Sequence, residues 1–213
     1  MPSGAALGVA TQKKSLHATE RDTQRVQQAR EDYHALIQPL DLQRFKFVDE
    51  SGVNLAMMRR FGRAPRGERV IGAVPQNYGV NLTMIAALGL HGIEAVMTIE
   101  GATDAEVFHA YAEQVLGPTL LPGDLVVLDH LSAHKMTTIR EVIEGRGARL
   151  LYLPPYSPDL APIEPAWSKI KTFLRTAKAR TREALELAIE QALATITAMD
   201  AHGWFTSGGY TVP

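Results

Sequence analysis

The pattern of apolar and polar residues predicts that the folded core begins with a strand. Residues 42–50, LQRFKFVDE, alternate with a period of two. This period places Phe45, Phe47 and Asp49 on one face of the strand and the intervening residues on the other. A carboxylate on an apolar face is costly unless it is paired, hydrogen-bonded or metal-bound; the alternatives are an edge position that reaches water and a salt bridge to a nearby Arg. Asp49 is therefore the first candidate for chemistry.

Turn signals and apolar runs predict more strands in the first half of the chain. These strands are expected at about 53–60, within 70–90 and at 93–99. The first would pair with the strand at 42–50 as a hairpin, through a turn at Ser51-Gly52. Polar residues interrupt the uncharged stretch between Arg69 and Glu94, so we expect two buried strands there and no membrane span.

Helices and strands alternate in the second half, which predicts an α/β fold. In this half, helices are expected at 103–116, 136–145, 163–176 and 181–199, and strands at 125–129 and 148–153. One further helix is expected near the start of the chain, at 20–38. Thr103 is the expected N-cap of its helix because Glu106 follows three residues later. The run LVVLD at 125–129 is typical of a strand covered on both faces, and Asp129 ends it. Ligands of open α/β sheets bind beyond such strand ends, although an Asp there can also simply cap the next turn.

A proline-rich connector at 153–165 leads into the helix at 163–176, and Glu164 lies at the start of that helix. The helix dipole stabilises an anion there by about 0.3–1 kcal/mol, so dipole compensation alone is one interpretation. With the two aspartates, Glu164 could instead bind divalent cations, because hard oxygen ligands suit Mg²⁺ or Mn²⁺. Two such ions can activate a nucleophile and stabilise the leaving oxygen in phosphodiester cleavage.

Composition narrows the class of protein. The 213 residues carry 22 Lys+Arg and 23 Asp+Glu, a net charge of −1, which excludes a bulk polycation and an acidic disordered tail. The absence of cysteine excludes disulfides, thiolate metal sites and cysteine nucleophiles, and permits a reducing compartment. The length favours one domain with an appendage.

Three segments resemble the catalytic blocks of DDE transposases, most closely the bacterial insertion-sequence branch of the mariner superfamily. They are FVDESG at 47–52, VVLDHLSAHK at 126–135 and LPPYSPDLAPIEPAW at 153–167. The 34 residues between the second and third acids are typical of that branch. The resemblance implies an α/β, RNase H-like fold, a mixed sheet flanked by helices. It also implies metal-dependent DNA cleavage at transposon ends and strand transfer into target DNA.

The same resemblance implies the site. Its catalytic residues and metal ligands would be Asp49, Asp129 and Glu164, which would hold two Mg²⁺ ions that Mn²⁺ can replace. Two positions depart from the family pattern, because His130 and Ala161 stand where relatives usually carry Asn. Neither departure removes a carboxylate, and Ser157 or Asp159 would then cap the helix in place of the missing Asn.

The resemblance also implies the domain organisation and the partners. Residues 1–40 are expected to be a lead-in and helix left from the junction to a helix-turn-helix DNA-binding domain, and residues 41–213 the catalytic domain. Expected partners are DNA, a second copy in a homodimer or higher synaptic assembly, and a separate helix-turn-helix chain, with no membrane. The location implied is the bacterial cytoplasm, on the nucleoid. One alternative is a non-catalytic remnant that acts as a DNA- or transposase-binding module. Another is an RNase H-like nuclease of hybrids or junctions.

Basic side chains cluster near these blocks and are the candidate DNA contacts. They are Arg59, Arg60, Arg63, His134, Lys135, Lys169, Lys171, Arg175 and Lys178. Those after Glu164 follow one helix away from the predicted metal site, although spaced lysines are also typical of a solvated helix face. If this face binds DNA, the affinity should fall steeply with salt. Trp167 and Trp204 are expected in the core.

Overall fold

In the computed structural model, which describes residues 17–59, 61–129 and 137–212, a five-stranded sheet forms the centre of the fold. The strands are β1 (Phe45–Asn54), β2 (Asn81–Gly89), β3 (Gly92–Glu100), β4 (Leu125–Leu128) and β5 (Arg149–Tyr152). The helices are α1 (Gln24–Ile37), α2 (Ala105–Tyr111), α3 (Thr137–Glu144), α4 (Ile163–Ala177), α5 (Arg182–Leu193) and α6 (Ala198–Ser207). None of the helices in these ranges combines the length and apolar character needed to cross a bilayer.

The sheet is mixed and β1 lies at its centre. The strand order is β3-β2-β1-β4-β5, with antiparallel pairs among the first three strands and parallel pairs from β1 through β4 to β5. The continuous apolar sequence of β4, LVVL, fits its position between two strands, where all four residues are buried. The expected mixed sheet flanked by helices is therefore present.

The two faces of the sheet bury two separate apolar cores. Phe45 and Phe47 of β1 pack in one core with α1, α4, α5 and α6, whereas Val48 packs in the other with α2 and α3. This division confirms the period-two alternation predicted for β1. Residues Ile163, Trp167, Ile170 and Leu174 form the buried stripe of α4, at the spacing of one helix face.

The predicted hairpin between 42–50 and 53–60 is wrong. Ser51 and Gly52 lie inside β1 and pair with Met84 and Thr83 of β2, because a continuous eight-residue ladder outweighs the local turn signal. The described residues between the two strands form no strand at all, and 61–79 are exposed throughout. A single strand, β2, replaces the two expected within 70–90. Residues 70–90 lack charges, but Gly72, Pro75 and Gly79 break any apolar alternation before β2.

Two of the predicted helices also differ from the observed ones. Asp104, rather than Thr103, caps α2 by accepting a hydrogen bond from the backbone N–H of Val107 at 2.9 Å. The single helix expected at 181–199 is two helices, α5 and α6. The break occurs because Thr197 and Asp200 form a reciprocal capping box, which starts a new helix. The other predicted helices and strands are confirmed within a few residues at each end.

Helix α1 is fixed to the connector that precedes α4. Arg30 donates to both carboxylate oxygens of Asp159, at 3.1 and 2.8 Å, and to the hydroxyl of Ser157 at 2.7 Å. The hydroxyls of Tyr33 and Tyr210 lie 2.9 Å apart, and Tyr210 also donates to the Leu160 carbonyl. Helix α1 thus stabilises the conformation of the segment that leads to Glu164.

Candidate active site

The first two acidic residues emerge side by side from neighbouring parallel strands. Phe47 of β1 is in register with Val127 of β4. Two residues further along the chain come Asp49, in the middle of β1, and Asp129, directly after β4. Because the two strands run in the same direction, both acids lie level with the carboxyl end of β4, and ligands of such sheets bind beyond strand ends of this kind.

The third acidic residue comes from the first turn of α4. Pro162 occupies the N-cap position without a side-chain hydrogen bond, and Glu164 is the second residue of the helix. The expected caps are therefore wrong: Ser157 and Asp159 are both engaged by Arg30 instead. Glu164 lies where the free N–H groups and the dipole of the helix favour a negative charge.

Asp49, Asp129 and Glu164 line one cleft, so the structure brings together the three acidic residues singled out in the sequence. The cleft has a volume of about 420 Å³. Its floor includes Phe47 and Val127, and the proline-rich connector from 153 to 158 forms one wall. Among the described residues, no three acidic or histidine side chains lie close enough together to hold a metal ion, so a bound ion would have to draw these carboxylates together.

The surroundings of Asp49 in the cleft raise the pKa of its carboxyl group. Burial, together with the negative charges of Glu164 and Glu50, raises its pKa from 3.8 to about 6. Hydrogen bonds from the Glu50 backbone and the Trp167 indole oppose this shift only in part. Near neutral pH the carboxylate is charged at a free-energy cost, which a bound cation would offset.

The cleft contains functional candidates that the sequence did not suggest. Arg25 of α1 is the basic residue among the described side chains that line it. Tyr156 of the connector also lines the cleft, and its backbone has a φ of 54°, a left-handed conformation that is unusual for a tyrosine. Trp167 donates a 2.9 Å hydrogen bond to Asp49. Of these three residues, only Trp167 could have been found from the sequence, because it follows Glu164 by three residues and is its neighbour on the helix.

Some of the predicted DNA contacts are engaged within the protein. Lys169 forms an ion pair with Asp200 at 2.7 Å and donates to the Thr195 carbonyl, which joins α4 to α6. Arg59 donates to the Thr176 hydroxyl at the end of α4. These contacts give both side chains an intramolecular role, and their DNA contact stays a prediction.

The remaining basic candidates are more accessible. Lys171 and Arg175 are half-buried on α4, while Lys178 and Arg63 are exposed. Lys178 ends α4 in the left-handed conformation, with a φ of 54°. Arg60, His134 and Lys135, together with the departure at His130, lie outside the described residues.

Comparison with known families places the chain in a class. The sequence profile of the DDE superfamily endonuclease family matches residues 44–186, so the chain belongs to this family. The matched range includes Asp49, Asp129 and Glu164.

Solved structures show the same fold in mariner transposases. The Mos1 strand transfer complex matches with a TM-score of 0.70 and 16% identity, over 95% of this chain and 63% of that chain. The mariner Mos1 paired end complex with Mg gives a TM-score of 0.73 at 16% identity, over 96% of this chain and 66% of that chain. The catalytic domain of Mos1 mariner transposase gives 0.59 at 14% identity, over 94% of this chain and 100% of that chain.

These likenesses confirm the RNase H-like fold implied by the resemblance. The chain spans less than two thirds of the Mos1 protein in the strand transfer complex. The search of curated proteins returned no match.

Proposed function

We propose that this chain is the catalytic part of a DDE transposase, which cleaves DNA at transposon ends and transfers the freed strand into target DNA. The observation that carries the proposal is the convergence of Asp49, Asp129 and Glu164 on one cleft, from β1, the end of β4 and the start of α4. Membership of the DDE superfamily endonuclease family supports the same chemistry.

The three carboxylates would hold divalent metal ions, Mg²⁺ or Mn²⁺. Their oxygens are the hard ligands these ions prefer, and the repulsion between Asp49 and Glu164 is of the kind that a cation relieves. When bound, the ions supply activation of a water or 3′-hydroxyl nucleophile and stabilise the leaving oxygen. Neighbouring Mos1 structures include paired end complexes with Mn and with Mg, which supports this choice of metal.

Other residues of the chain would bind and orient the DNA strand. Arg25 reaches the cleft from α1, where its guanidinium can pair with a backbone phosphate beside the reacting one. Lys171, Arg175 and Lys178 extend along α4 away from Glu164 and would bind phosphates further along the duplex. The Mos1 neighbours include paired-end and strand transfer complexes. By this likeness, we propose that two catalytic chains of this protein also assemble on DNA.

The decisive experiment is metal-dependent nicking of DNA by the purified chain, compared between two glutamate variants. Glu164→Gln removes the carboxylate from the first turn of α4. Glu183→Gln is the matched control, because it removes a carboxylate from the first turn of α5, outside the cleft. We expect wild type and Glu183→Gln to nick DNA with Mg²⁺ or Mn²⁺, and Glu164→Gln to be inactive. Equal nicking by Glu164→Gln would overturn the assignment of the site.

The same assay separates catalysis from binding alone. If wild type binds both Mn²⁺ and DNA but nicks neither transposon ends nor other duplexes, the chain is a non-catalytic DNA-binding module. Cleavage of RNA–DNA hybrids or junctions in preference to transposon ends would indicate a different RNase H-like nuclease.

The basic face of α4 can be tested through its salt dependence. Lys171→Ala and Arg175→Ala are combined with Lys178→Gly, since glycine suits the left-handed φ at that position. Removal of three phosphate contacts should make the slope of log affinity against log salt shallower by about 2 to 3. Arg140→Ala, on α3 and paired with Glu144, is the control and should leave the slope unchanged. An unaltered slope in the triple variant would identify this face as merely solvated.

A further inference from the structure

A partly buried hydrogen bond links the two elements that carry Asp49 and Glu164. The indole N–H of Trp167 on α4 donates to Oδ2 of Asp49 on β1, with a nitrogen–oxygen distance of 2.9 Å. Trp167 is only 3% exposed, and its ring packs in the core beneath α4. The bond spans 118 residues of sequence, so it is a tertiary contact that the fold itself must create.

The chemistry of the donor determines what this bond can do. An indole N–H donates one hydrogen bond and accepts none, and a buried tryptophan needs a partner for it. A carboxylate offers about four lone-pair positions. The Trp167 indole and the Glu50 backbone each contribute a hydrogen bond to Asp49, so positions remain for a ligand in the cleft. These two donors fix the rotation of the Asp49 carboxylate and leave some of its lone-pair positions available.

The position of Trp167 on its helix connects this bond to the third carboxylate. Trp167 follows Glu164 by three residues, so the two side chains are neighbours on α4, with Glu164 exposed and Trp167 on the buried stripe. Any shift of α4 that moved Glu164 would also pull on Asp49. One helix therefore sets the place of one carboxylate and the orientation of another.

We propose that Trp167 is a positioning residue of the metal site, which holds the Asp49 carboxylate in the orientation that binds the divalent ion. This inference rests on the function proposed above and adds to it a residue outside the three acids. Partners that orient metal ligands typically change metal affinity by about 10- to 100-fold when they are removed. Phenylalanine at this position would keep an aromatic ring in the core but donate no hydrogen bond, and the Asp49 carboxylate could then rotate.

The chain provides a matched control, because it contains two tryptophans. Trp204 lies on α6, is partly buried and lines a neighbouring pocket with Glu164, but within the described part of the chain its indole makes no hydrogen bond to the three acids. Trp167→Phe and Trp204→Phe thus remove the same chemical group from two places in the same core. Each variant also leaves a single indole, whose near-ultraviolet absorption reports the hydrogen bond at its N–H.

The first measurement is Mn²⁺ affinity, from the EPR signal of the free ion, for wild type and both variants in the absence of DNA. We expect Trp167→Phe to bind Mn²⁺ about tenfold more weakly or worse, and Trp204→Phe to bind like wild type. Equal affinity in all three proteins would overturn the role of Trp167 while leaving the metal site intact. No Mn²⁺ binding by wild type would overturn the metal site and, with it, this inference.

The second measurement does not require Trp167→Phe to fold. In Trp204→Phe, Trp167 is the sole indole, and saturating Mg²⁺ should shift its absorption band because the ion withdraws charge from the Asp49 acceptor. A purely structural tryptophan would show no such shift. A flat difference spectrum at Mg²⁺ saturation would contradict the proposal, whatever the stability of the other variant.

Discussion

Strand β1 carries two different arrangements of buried charge, one at its start and one at its middle. At the start, Lys46 is 7% exposed and lies against Glu94 and Asp124, and Arg44 lies 3.6 Å from the same Asp124. This paired end therefore contains two cations and two anions. At the middle of the strand, Asp49 shares its cleft with two further acids and, among the described residues, one arginine.

The difference teaches how to distinguish structural charges from functional ones. At the paired end every charge has a partner within the protein, as buried ions in a stable fold generally require. In the cleft around Asp49 the carboxylates outnumber the cations in the described lining, and the pKa of Asp49 is raised. An excess of negative charge that the protein itself does not neutralise indicates a site that binds a positively charged ligand.

The largest expected effect is at the paired end. Lys46→Met should lower the free energy of unfolding by about 3 kcal/mol or more, because it leaves two carboxylates facing each other with one fewer cation. Denaturant unfolding measures this change. Lys171→Met, on the half-buried face of α4, is the control and should change stability by less than about 0.5 kcal/mol. A similar loss in both variants would show that the paired end is not special.

The next effect is the response of the acidic cleft to metal. At a Mg²⁺ concentration 100 times the dissociation constant, binding should add about 2.7 kcal/mol to the stability of wild type. For a chain of this length that is a rise of roughly 5–10 °C in the unfolding temperature. Lys46→Met should keep this increment and Asp129→Asn should lose it. An increment that persists in Asp129→Asn would place the ion elsewhere.

A smaller effect, of opposite sign, is expected without metal. Asp49→Asn should stabilise the metal-free chain by about 1–2 kcal/mol at pH 7.5, because it removes a charge whose burial is unfavourable. The folded-state pKa of about 6 lies above the ordinary 3.8, so the penalty is complete above pH 6 and vanishes as the pH falls toward 4. The gain should shrink over the same range. A gain that stays constant from pH 7.5 to 4 would have another cause.

The smallest effect concerns the tie between α1 and the wall of the cleft. Arg30→Ala should cost about 1 kcal/mol, since its partner Asp159 is partly exposed. Arg30 holds the pKa of Asp159 below its usual range. The stability from this pair is therefore present at neutral pH and is lost as the pH falls below the ordinary carboxyl range. Acid unfolding of the variant should show a smaller step, because Arg21 still pairs with Asp159 at 3.0 Å; an unchanged acid transition would contradict the prediction.

The features that could be predicted from the sequence are those that depend on neighbouring residues in the chain. The alternation in β1 placed Phe47 and Asp49 on one face, and the buried run of β4 placed Asp129 at a strand end. What could not be predicted depends on partners far away in the chain. Ser51-Gly52 looks like a turn until β2 supplies its ladder. The bond from Trp167 to Asp49 and the pair of Arg30 with Asp159 join residues more than a hundred positions apart.

The long connection between β1 and β2 has a consequence for the order of folding. Two residues join β2 to β3, whereas 26 residues join β1 to β2. Loop-closure entropy grows with the logarithm of length, so bringing β1 to β2 costs about 2 kcal/mol more than closing the β2–β3 hairpin. The hairpin should thus form early, and the central strand should join it late. Backbone amides of β2 that bond to β3 should gain protection from hydrogen exchange before those that bond to β1, so the acidic cleft is assembled in the last steps of folding.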